Sequence, residues 1–388
     1  MIPYGRQDIS HQDIDAVVDV LKSDFLTQGP KVPLFEKTVS KKVGVEHAVA
    51  VNSATSALHV ACLALGLGKG DWLWTSPNTF VASANCGLYC GAKVDFVDID
   101  PITYNLCPKA LEEKLIQAKQ QDRLPKIVVP VHLCGQPCDM KSIHRLSKKY
   151  GFKIIEDASH AIGGKYLSSP IGSCRYSDIT VFSFHPVKII TTAEGGLATT
   201  NQSDLAKKMD LFRTHGITRD TSLMTHTLEG PWYYEQIELG YNYRMTDLQA
   251  ALGISQMTRL DEYIEKRNAL AERYKRELDG LNLKCQFVPK NIRSAYHLFV
   301  IRLQQNSTTD TRHKVFLDLR KNGINVNVHY IPIHLQPYYK SMGFKYGDFP
   351  QSESYYEQAI TLPLYPGLDH AQQDHIVNSL KESLKRHQ

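Results

Sequence analysis

The stretch ITVFSFHPVKIITTAEGGLAT at residues 179–199 contains two short runs rich in β-forming residues, Ile179–Phe184 and Leu197–Thr199, with a polar segment between them. Similar runs alternate with helical segments upstream, at Ala48–Val51, Trp72–Trp74, Lys93–Val97, Lys126–Val131 and Phe152–Ile155. The runs are almost continuously apolar, as expected for strands that helices cover on both faces. This alternation predicts an α/β fold with a mainly parallel sheet.

The rest of the 388-residue chain predicts helices before this sheet and a smaller domain after it. Ser10 followed by Asp13 resembles a capping box that begins a helix, and another helix follows the turn at residues 27–30. Further expected elements are a long helix from Thr246 to about Asp279, β-rich runs at Tyr296–Leu303 and Ile324–Tyr330, and helices near Asp310 and after Asp369. We expect a large domain at residues 1–250, whose N-terminal segment contributes to the substrate site, and a small α+β domain at residues 251–388.

Composition and charge favour an ordinary globular protein without a nucleic-acid or membrane partner. Apolar residues make up 42% of the chain, and the formal charge of +5 arises from 45 basic and 40 acidic side chains that form no basic run. No apolar run approaches the roughly 18 residues of a membrane span, and residues 1–7 lack a signal-peptide core. We therefore expect a cytoplasmic protein.

The eight cysteines are expected to be free thiols. The pairs Cys86/Cys90 and Cys134/Cys138 have a spacing that zinc ligands also show. Neither pair lies in a segment rich in cysteine and histidine, and the first pair lies in an apolar stretch. We therefore expect no metal site.

Polar side chains follow several predicted strands at the point where each strand ends. Because ligands of open α/β sheets bind outside the carboxyl ends of the strands, these side chains are candidates for a common site. The set combines hydroxyls at a helix start, histidines, an acid and a lysine: Ser53, Thr55, Ser56, His132, Asp157, His160 and Lys188.

This combination matches the requirements of pyridoxal phosphate. That cofactor needs a lysine to form its Schiff base and an anion that keeps its pyridine nitrogen protonated. Hydroxyls and free N–H groups at a helix start suit its phosphate. Taken singly, Lys188 could be a solvated loop residue, Asp157 and Ser53 could be helix caps, and His160 could be a hydrogen-bonded structural residue. Their joint occurrence favours the cofactor site.

Several motifs resemble the DegT/DnrJ/EryC1/StrS family of pyridoxal-phosphate-dependent sugar aminotransferases. They are NSATSAL at 52–58, PNTFVASA at 77–84, PVHLCGQPCDM at 130–140, EDASHAIGG at 156–164, FSFHPVKIITTAEGG at 182–196, RTHG at 213–216 and GYNYRMTDLQAALG at 240–253. The resemblance spans essentially the whole chain in family order. It implies the fold-type I aminotransferase architecture.

Matched position by position, the resemblance implies that Lys188 is the catalytic Schiff-base lysine and Asp157 the partner of the pyridine nitrogen. Further cofactor contacts are implied for Ser53, Ala54, Thr55, Phe80, His160, Ser183 and Asn242. Asn242 would reach the cofactor phosphate of a neighbouring subunit, which predicts a homodimer with shared active sites. Similar sugar 3-dehydratases carry histidine at the lysine position, so Lys188 favours transamination.

A narrower resemblance concerns the branch of the family that serves pseudaminic acid biosynthesis. It implies transfer of an amino group from glutamate to C4 of a UDP-linked 2-acetamido-2,6-dideoxy-hexos-4-ulose. Implied substrate-site residues are Tyr4, Asp24, Phe25, Leu26, Thr27, Ser53, Ser183, Asn242, His329, Tyr330, Ile331 and Pro332. Two alternatives stay open: an aminotransferase for another nucleotide-linked keto sugar, and a non-catalytic protein of this fold that binds a sugar nucleotide.

Overall fold

The computed structural model describes residues 1–226, 229–304 and 309–387. Its strands are β1 (His47–Val51), β2 (Trp72–Thr75), β3 (Lys93–Phe96), β4 (Ile127–Val129), β5 (Lys153–Asp157), β6 (Lys165–Tyr166), β7 (Ser169–Pro170), β8 (Ile179–Ser183), β9 (Gly196–Thr200), β10 (Ile217–Thr218), β11 (Glu235–Gln236), β12 (Leu283–Cys285), β13 (Ile292–Arg293), β14 (Phe299–Leu303) and β15 (Ala359–Leu362). Each of the seven runs predicted between residues 48 and 199 is a strand of the central sheet, so that prediction is confirmed.

The α-helices are α1 (His11–Leu21), α2 (Lys31–Val43), α3 (Ala54–Ala64), α4 (Ala82–Tyr89), α5 (Pro108–Gln120), α6 (Met140–Tyr150), α7 (Ser203–Arg213), α8 (Asp247–Met257), α9 (Leu260–Glu277), α10 (Thr309–Lys321), α11 (Pro337–Lys340), α12 (Pro350–Gln358) and α13 (His370–His387). Helix α1 begins at the predicted capping box of Ser10 and Asp13. Within the described ranges, no helix is both long and apolar enough to cross a membrane.

The central sheet has the strand order β1-β9-β8-β5-β4-β2-β3. Neighbours from β8 to β3 pair in parallel, whereas β9 runs antiparallel to both β8 and β1. Strand β1 therefore points the same way as β8 and β5. Because of this, the carboxyl ends of β1, β5 and β8 lie at one edge of the sheet, and the residues that follow them come together there.

Two apolar layers hold the helices against the two faces of this sheet. Side chains alternate between faces along a strand, so in β8 Phe182 belongs to one buried cluster and Val181 to the other. The first cluster includes residues of α2, α5 and α6, and the second includes residues of α3, α4 and α7. The near-continuous apolar character of the strands follows from this double coverage.

The predicted long helix from Thr246 to Asp279 is wrong in one respect, because the structure divides it into α8 and α9. At the break, the Thr258 hydroxyl donates a 2.6 Å hydrogen bond to the Ser255 carbonyl. The N–H groups of Thr258 and Arg259 bond three residues back instead of four. A side chain that competes for a helix carbonyl favours such a bend.

A second sheet, in the order β12-β14-β15, packs with α9, α10 and α13 around a separate apolar cluster. The predicted run Ile324–Tyr330 is not a regular strand. It makes isolated bridges, from Ile324 to Ile2 and from Asn327 to Thr361, so the N-terminal segment joins this second unit. The proposed division between residues 250 and 251 falls inside α8 and stays a prediction.

Candidate active site

A cavity of about 800 Å³ lies at the carboxyl ends of β1, β5 and β8. A pocket of this size is within the range of small-molecule sites. The predicted site residues that line it are Tyr4, Ser53, Ala54, Thr55, Phe80, Asp157, His160, Ser183, Lys188, His329 and Tyr330. The structure thus brings together in one chain most of the residues that the sequence predicts for the cofactor.

Ser56, a candidate from its place after β1, also lines the cavity, whereas His132, a candidate from its place after β4, does not: it is buried with its Nε2 2.8 Å from Glu156 Oε2. Seven residues predicted for the cofactor or the substrate also do not line this cavity in a single chain: Asp24, Phe25, Leu26, Thr27, Asn242, Ile331 and Pro332. The segment around Thr27 is held against the start of α8, where the Asp247 N–H donates to the Leu26 carbonyl at 3.0 Å. The Asn242 carbonyl accepts a 3.5 Å hydrogen bond from Asn52, which does line the cavity. The roles predicted for these seven residues stay predictions.

Lys188 lies in the turn after β8, where its N–H donates to the His185 carbonyl at 2.9 Å. Its side chain is partly buried and faces the cavity. Burial lowers the pKa of the Lys188 amine to about 8, although the nearby Asp157 carboxylate opposes this shift. A lysine whose pKa is close to physiological pH is partly neutral there. Its neutral amine can act as a nucleophile or a base, which a solvated, fully protonated lysine does poorly.

We predict a pH signature for this amine in the protein freed of cofactor. Only the neutral amine attacks an aldehyde, so the rate at which added pyridoxal phosphate becomes covalently bound should rise with pH and level off above about 8. An exposed lysine would continue to rise to about pH 10.4. Stopped-flow absorbance over pH 6–10 measures the rate. A profile still rising steeply at pH 9.5 would contradict the lowered pKa.

Asp157 ends β5 with both carboxylate oxygens engaged. Oδ2 accepts a 2.6 Å hydrogen bond from the Ser83 hydroxyl, and Oδ1 accepts a 3.1 Å bond from the Ser159 N–H. The side chain is 5% exposed, and its position is not that of a helix cap. These donors fix the orientation of a buried carboxylate.

The start of α3 forms another part of the cavity wall, through Ser53, Ala54, Thr55 and Ser56. The Ser53 hydroxyl caps the helix by accepting from the Ser56 N–H at 3.1 Å, so the ordinary capping role considered for Ser53 is present. By helix geometry, the N–H groups of Ala54 and Thr55 have no partner within the helix. Together with the helix dipole, these groups suit a phosphate.

Gly196 allows this helix start to approach β9. A Cβ atom at position 196 would lie 2.4 Å from backbone atoms of Ser53 and Ala54. We predict that Gly196→Ala destabilises the protein by about 1–3 kcal/mol through overpacking and weakens cofactor binding. Urea unfolding and cofactor titration measure the two effects. Gly68→Ala is the matched control, because a Cβ there meets nothing within 4 Å; equal behaviour of the two variants would refute the prediction.

Three buried histidines form the wall of the cavity near Lys188: His160, His297 and His329. His160 Nδ1 accepts a 3.3 Å hydrogen bond from the Cys134 N–H, and its Nε2 lies 3.1 Å from the Tyr330 hydroxyl. Burial, together with Lys188 and His329, holds the pKa of His160 well below its usual range. The neutral ring therefore carries its proton on Nε2 and donates to Tyr330, which leaves the Tyr330 O–H free to donate to a ligand.

His329 contacts the Thr361 hydroxyl through Nδ1 at 2.9 Å. Burial and the Lys188 charge lower the pKa of His329 to about 3, so this ring is also neutral at physiological pH. Neutral imidazoles at this wall can orient a substrate without placing further positive charge beside the lysine.

The cysteines are free thiols in the described chain, and those at positions 62, 86, 134, 138 and 174 are buried. Among the residues with described positions, no group of three or more His, Cys, Asp or Glu side chains has an arrangement that could hold a metal.

Some cavity residues were missed from the sequence. The Ser83 hydroxyl donates a hydrogen bond to the Asp157 carboxylate, and Ser83 lies in the PNTFVASA motif at 77–84, which could have indicated its role. His297 also lines the cavity, and it lies in the β-rich run Tyr296–Leu303, which carried no prediction of a site residue. Thr79, Glu194 and Gln249 also line the cavity, and they lie in the motifs at 77–84, 182–196 and 240–253, which were not assigned to the site residue by residue.

Comparison with known proteins shows to which family the chain belongs. The model of the DegT/DnrJ/EryC1/StrS aminotransferase family matches residues 7–381. The chain belongs to this family. It therefore has the fold-type I architecture and is a pyridoxal-phosphate-dependent sugar aminotransferase, as the sequence motifs predicted.

Individual relatives agree with this assignment over nearly their whole length. The UDP-4-amino-4,6-dideoxy-N-acetyl-beta-L-altrosamine transaminase of Campylobacter jejuni serotype O:23/36 is 38% identical over 368 residues, covering 94% of this chain and 93% of the relative. The structure of Helicobacter pylori PseC, an aminotransferase of pseudoaminic acid biosynthesis, has a TM-score of 0.90 at 31% identity and 99% coverage of both chains. Streptococcus pneumoniae Spr1654 in its PLP form has a TM-score of 0.90 at 29% identity, covering 100% of this chain and 99% of the other.

Proposed function

We propose that this aminotransferase moves an amino group from glutamate to C4 of a UDP-linked 2-acetamido-2,6-dideoxy-hexos-4-ulose. The product would be UDP-4-amino-4,6-dideoxy-N-acetyl-beta-L-altrosamine, an intermediate of pseudaminic acid biosynthesis. The observation that carries the amino-transfer chemistry is that the partly buried Lys188 and the buried Asp157 line one cavity. The named substrate is supported by what the Campylobacter jejuni and Helicobacter pylori relatives are described as doing.

The residues of the cavity fit the cofactor. Lys188 would bind its aldehyde carbon, Asp157 would pair with its pyridine nitrogen, and the start of α3 with Ser53, Ala54 and Thr55 would bind its phosphate. Ser183, His160 and the exposed Phe80 also line this space. When bound, pyridoxal phosphate supplies an electron sink that stabilises negative charge at the substrate carbon.

Lys188 is placed to move the protons of the reaction. With a pKa of about 8, its amine is present in both forms near neutral pH. The neutral amine can accept the proton from the α-carbon of glutamate, and the protonated amine can return one to C4 of the sugar in the second half of the cycle. Asp157 is oriented for its role by the hydrogen bonds that its oxygens accept from the Ser83 hydroxyl and the Ser159 N–H.

The sugar would enter on the side of the cavity lined by Tyr4, His329 and Tyr330. The free Tyr330 O–H can donate to a sugar oxygen, since burial raises the pKa of Tyr330 and keeps it protonated. Phe25 and Leu26, predicted for the substrate site, are 54% and 49% exposed in one chain. We propose a homodimer in which such segments and Asn242 complete the site of the neighbouring subunit. The cytoplasmic location stays a prediction.

The proposal is tested with purified holoenzyme, glutamate and one UDP-linked 4-keto sugar at a time. We expect amination of the 2-acetamido-2,6-dideoxy sugar, with the configuration at C4 read from the product by NMR. Preference for a C5 epimer or for a 3-keto sugar would change the proposed substrate, but the proposed reaction class, amino transfer, would stand. A colourless protein that neither binds pyridoxal phosphate nor consumes glutamate would favour the non-catalytic alternative.

A further inference from the structure

A buried histidine–glutamate pair lies next to Asp157 and takes no part in the chemistry described above. His132, which follows β4, is 0% exposed, and Glu156 in β5 is 4% exposed. His132 Nε2 lies 2.8 Å from Glu156 Oε2, and neither residue lines the cavity. Because removing a carboxylate from water is costly, a buried pair of this kind is weak evidence for stability. Its role is better sought in what it holds in place.

The hydrogen bonds of this pair show where its protons lie. His132 Nδ1 accepts a 3.1 Å hydrogen bond from the Cys138 N–H, so the ring proton is on Nε2 and is donated to Glu156. Glu156 Oε1 accepts from the Ser177 hydroxyl at 2.5 Å and from the Thr180 hydroxyl at 3.2 Å. Burial acts to raise the pKa of Glu156, but the bonds from its three donors outweigh burial and lower that pKa. The side chain is therefore an ionised carboxylate that accepts hydrogen bonds on both oxygens.

These bonds connect three neighbouring strands at the position of Asp157. An isolated bridge between Val131 and Asp157 continues the pairing of β4 with β5 past the end of the regular ladder. At this bridge the His132 N–H donates to the Asp157 carbonyl at 3.0 Å. On the other side of β5, Glu156 is in register with Thr180 of β8. The side-chain bonds of Glu156 therefore tie the segment after β4 to β8, across the strand that carries Asp157.

The position of the Asp157 carboxylate depends on the end of this strand. Asp157 and Glu156 are consecutive in β5, so their side chains point to opposite faces of the sheet, and Asp157 lines the cavity. The bonds from the Ser83 hydroxyl and the Ser159 N–H orient the carboxylate on its own face. They do not fix the backbone from which it extends. A shift of that backbone would move the carboxylate with it, and a displacement of about 1 Å in an active site can lower the rate about 10²-fold.

We propose that His132 and Glu156 form a positioning pair, which holds the end of β5 so that the Asp157 carboxylate stays opposite the pyridine nitrogen of the cofactor. The pair acts through Asp157 and lies outside the cavity that would hold cofactor and substrate. This inference rests on the role that the proposed function gives to Asp157. It also gives a role to His132, a residue that the sequence placed among the site candidates and the structure places behind the site.

The test is a double-mutant cycle between Glu156 and Asp157, measured by the dissociation constant of pyridoxal phosphate from the full-length protein and by kcat. Glu156→Met keeps the length of the side chain but loses its strong acceptors. We expect the dissociation constant to rise at least about 10-fold and kcat to fall about 10–10²-fold. In an Asp157→Asn background the same substitution should change both by less than about 3-fold, because the group that the pair positions is already altered.

Two further variants separate positioning from stability. Glu156→Gln keeps an acceptor for His132 and an amide that can donate to the hydroxyls, so it should stay within about 3-fold of the wild type in both measurements. Glu353→Met is the matched control, because Glu353 forms another buried pair, with His334 at 2.8 Å, and neither of these residues lines the cavity. It should lower the free energy of unfolding but change cofactor binding by less than about 3-fold.

Circular dichroism and urea unfolding check that each variant folds. If Glu156→Met does not fold, Ser177→Ala at a partly exposed position removes one bond to Glu156 and should weaken cofactor binding more in the wild type than in the Asp157→Asn background.

Three results would overturn the inference and leave the amino-transfer function intact. They are equal losses in the two backgrounds, wild-type behaviour of Glu156→Met, and a loss of cofactor binding with Glu353→Met or Glu156→Gln as large as with Glu156→Met. If Asp157→Asn by itself left cofactor binding and kcat unchanged, the role that the proposed function gives to Asp157 would fall instead.

Discussion

Replacing Lys188 with alanine is expected to lower kcat for glutamate-dependent amination by at least about 10²–10⁴, the range typical of lost proton transfer by a positioned side chain. The variant also loses the covalent attachment of the cofactor, so the decrease should persist with excess pyridoxal phosphate. Lys188→Arg should be equally inactive, because a guanidinium with a pKa above about 12 cannot become neutral at working pH. Steady-state rates at saturating substrates measure the effect.

The fold should survive both substitutions at position 188. Burial lowers the pKa of this amine, which means that holding its charged form inside the protein opposes folding, and removing it costs little stability. Lys148→Ala on the exposed face of α6 is the matched control and should keep wild-type kcat. Borohydride reduction followed by peptide mass spectrometry should label Lys188 in the wild type. A label on another lysine, or normal turnover by Lys188→Ala, would refute the assignment.

Asp157→Asn is expected to lower kcat by about 10²–10³, the usual effect of removing one preorganised electrostatic partner in a site closed to water. The substitution keeps the shape of the side chain but removes its charge. It also removes the one interaction that raises the pKa of Lys188, so that pKa should fall further below about 8. The covalent attachment of pyridoxal phosphate to the apoprotein should therefore level off at a lower pH than in the wild type.

Ser83→Ala separates the charge of Asp157 from its hydrogen bonding. It removes the 2.6 Å bond to Oδ2 but keeps the carboxyl group itself and its hydrogen bond from the Ser159 N–H. A single hydrogen bond to a charged group contributes about 1.5–3 kcal/mol, so kcat should fall less than with Asp157→Asn, and the pH profile should shift little. If Ser83→Ala were as damaging as Asp157→Asn, orientation rather than charge would be the role of this acid.

The short sequence patterns were sufficient to predict the central sheet and the reactive pair. Continuous apolar runs, typical of strands covered on both faces, marked the seven strands between residues 47 and 200. Asp157 and Lys188 were identified because polar residues directly after such strands must lie at the same edge of the sheet. These features depend on residues that are neighbours in the chain, so they can be predicted from the sequence alone.

Only the tertiary structure revealed the features that depend on contacts between distant segments. His297, 109 positions beyond Lys188, was interpreted as part of a strand, and its place in the cavity follows from how the second unit packs on the first. The close approach of Gly196 to Ser53 and the burial that lowers the pKa of Lys188 also arise from such packing. Local periodicity records which side chains are apolar. It does not record which distant groups they exclude from water, and that exclusion is what lowers the pKa of Lys188.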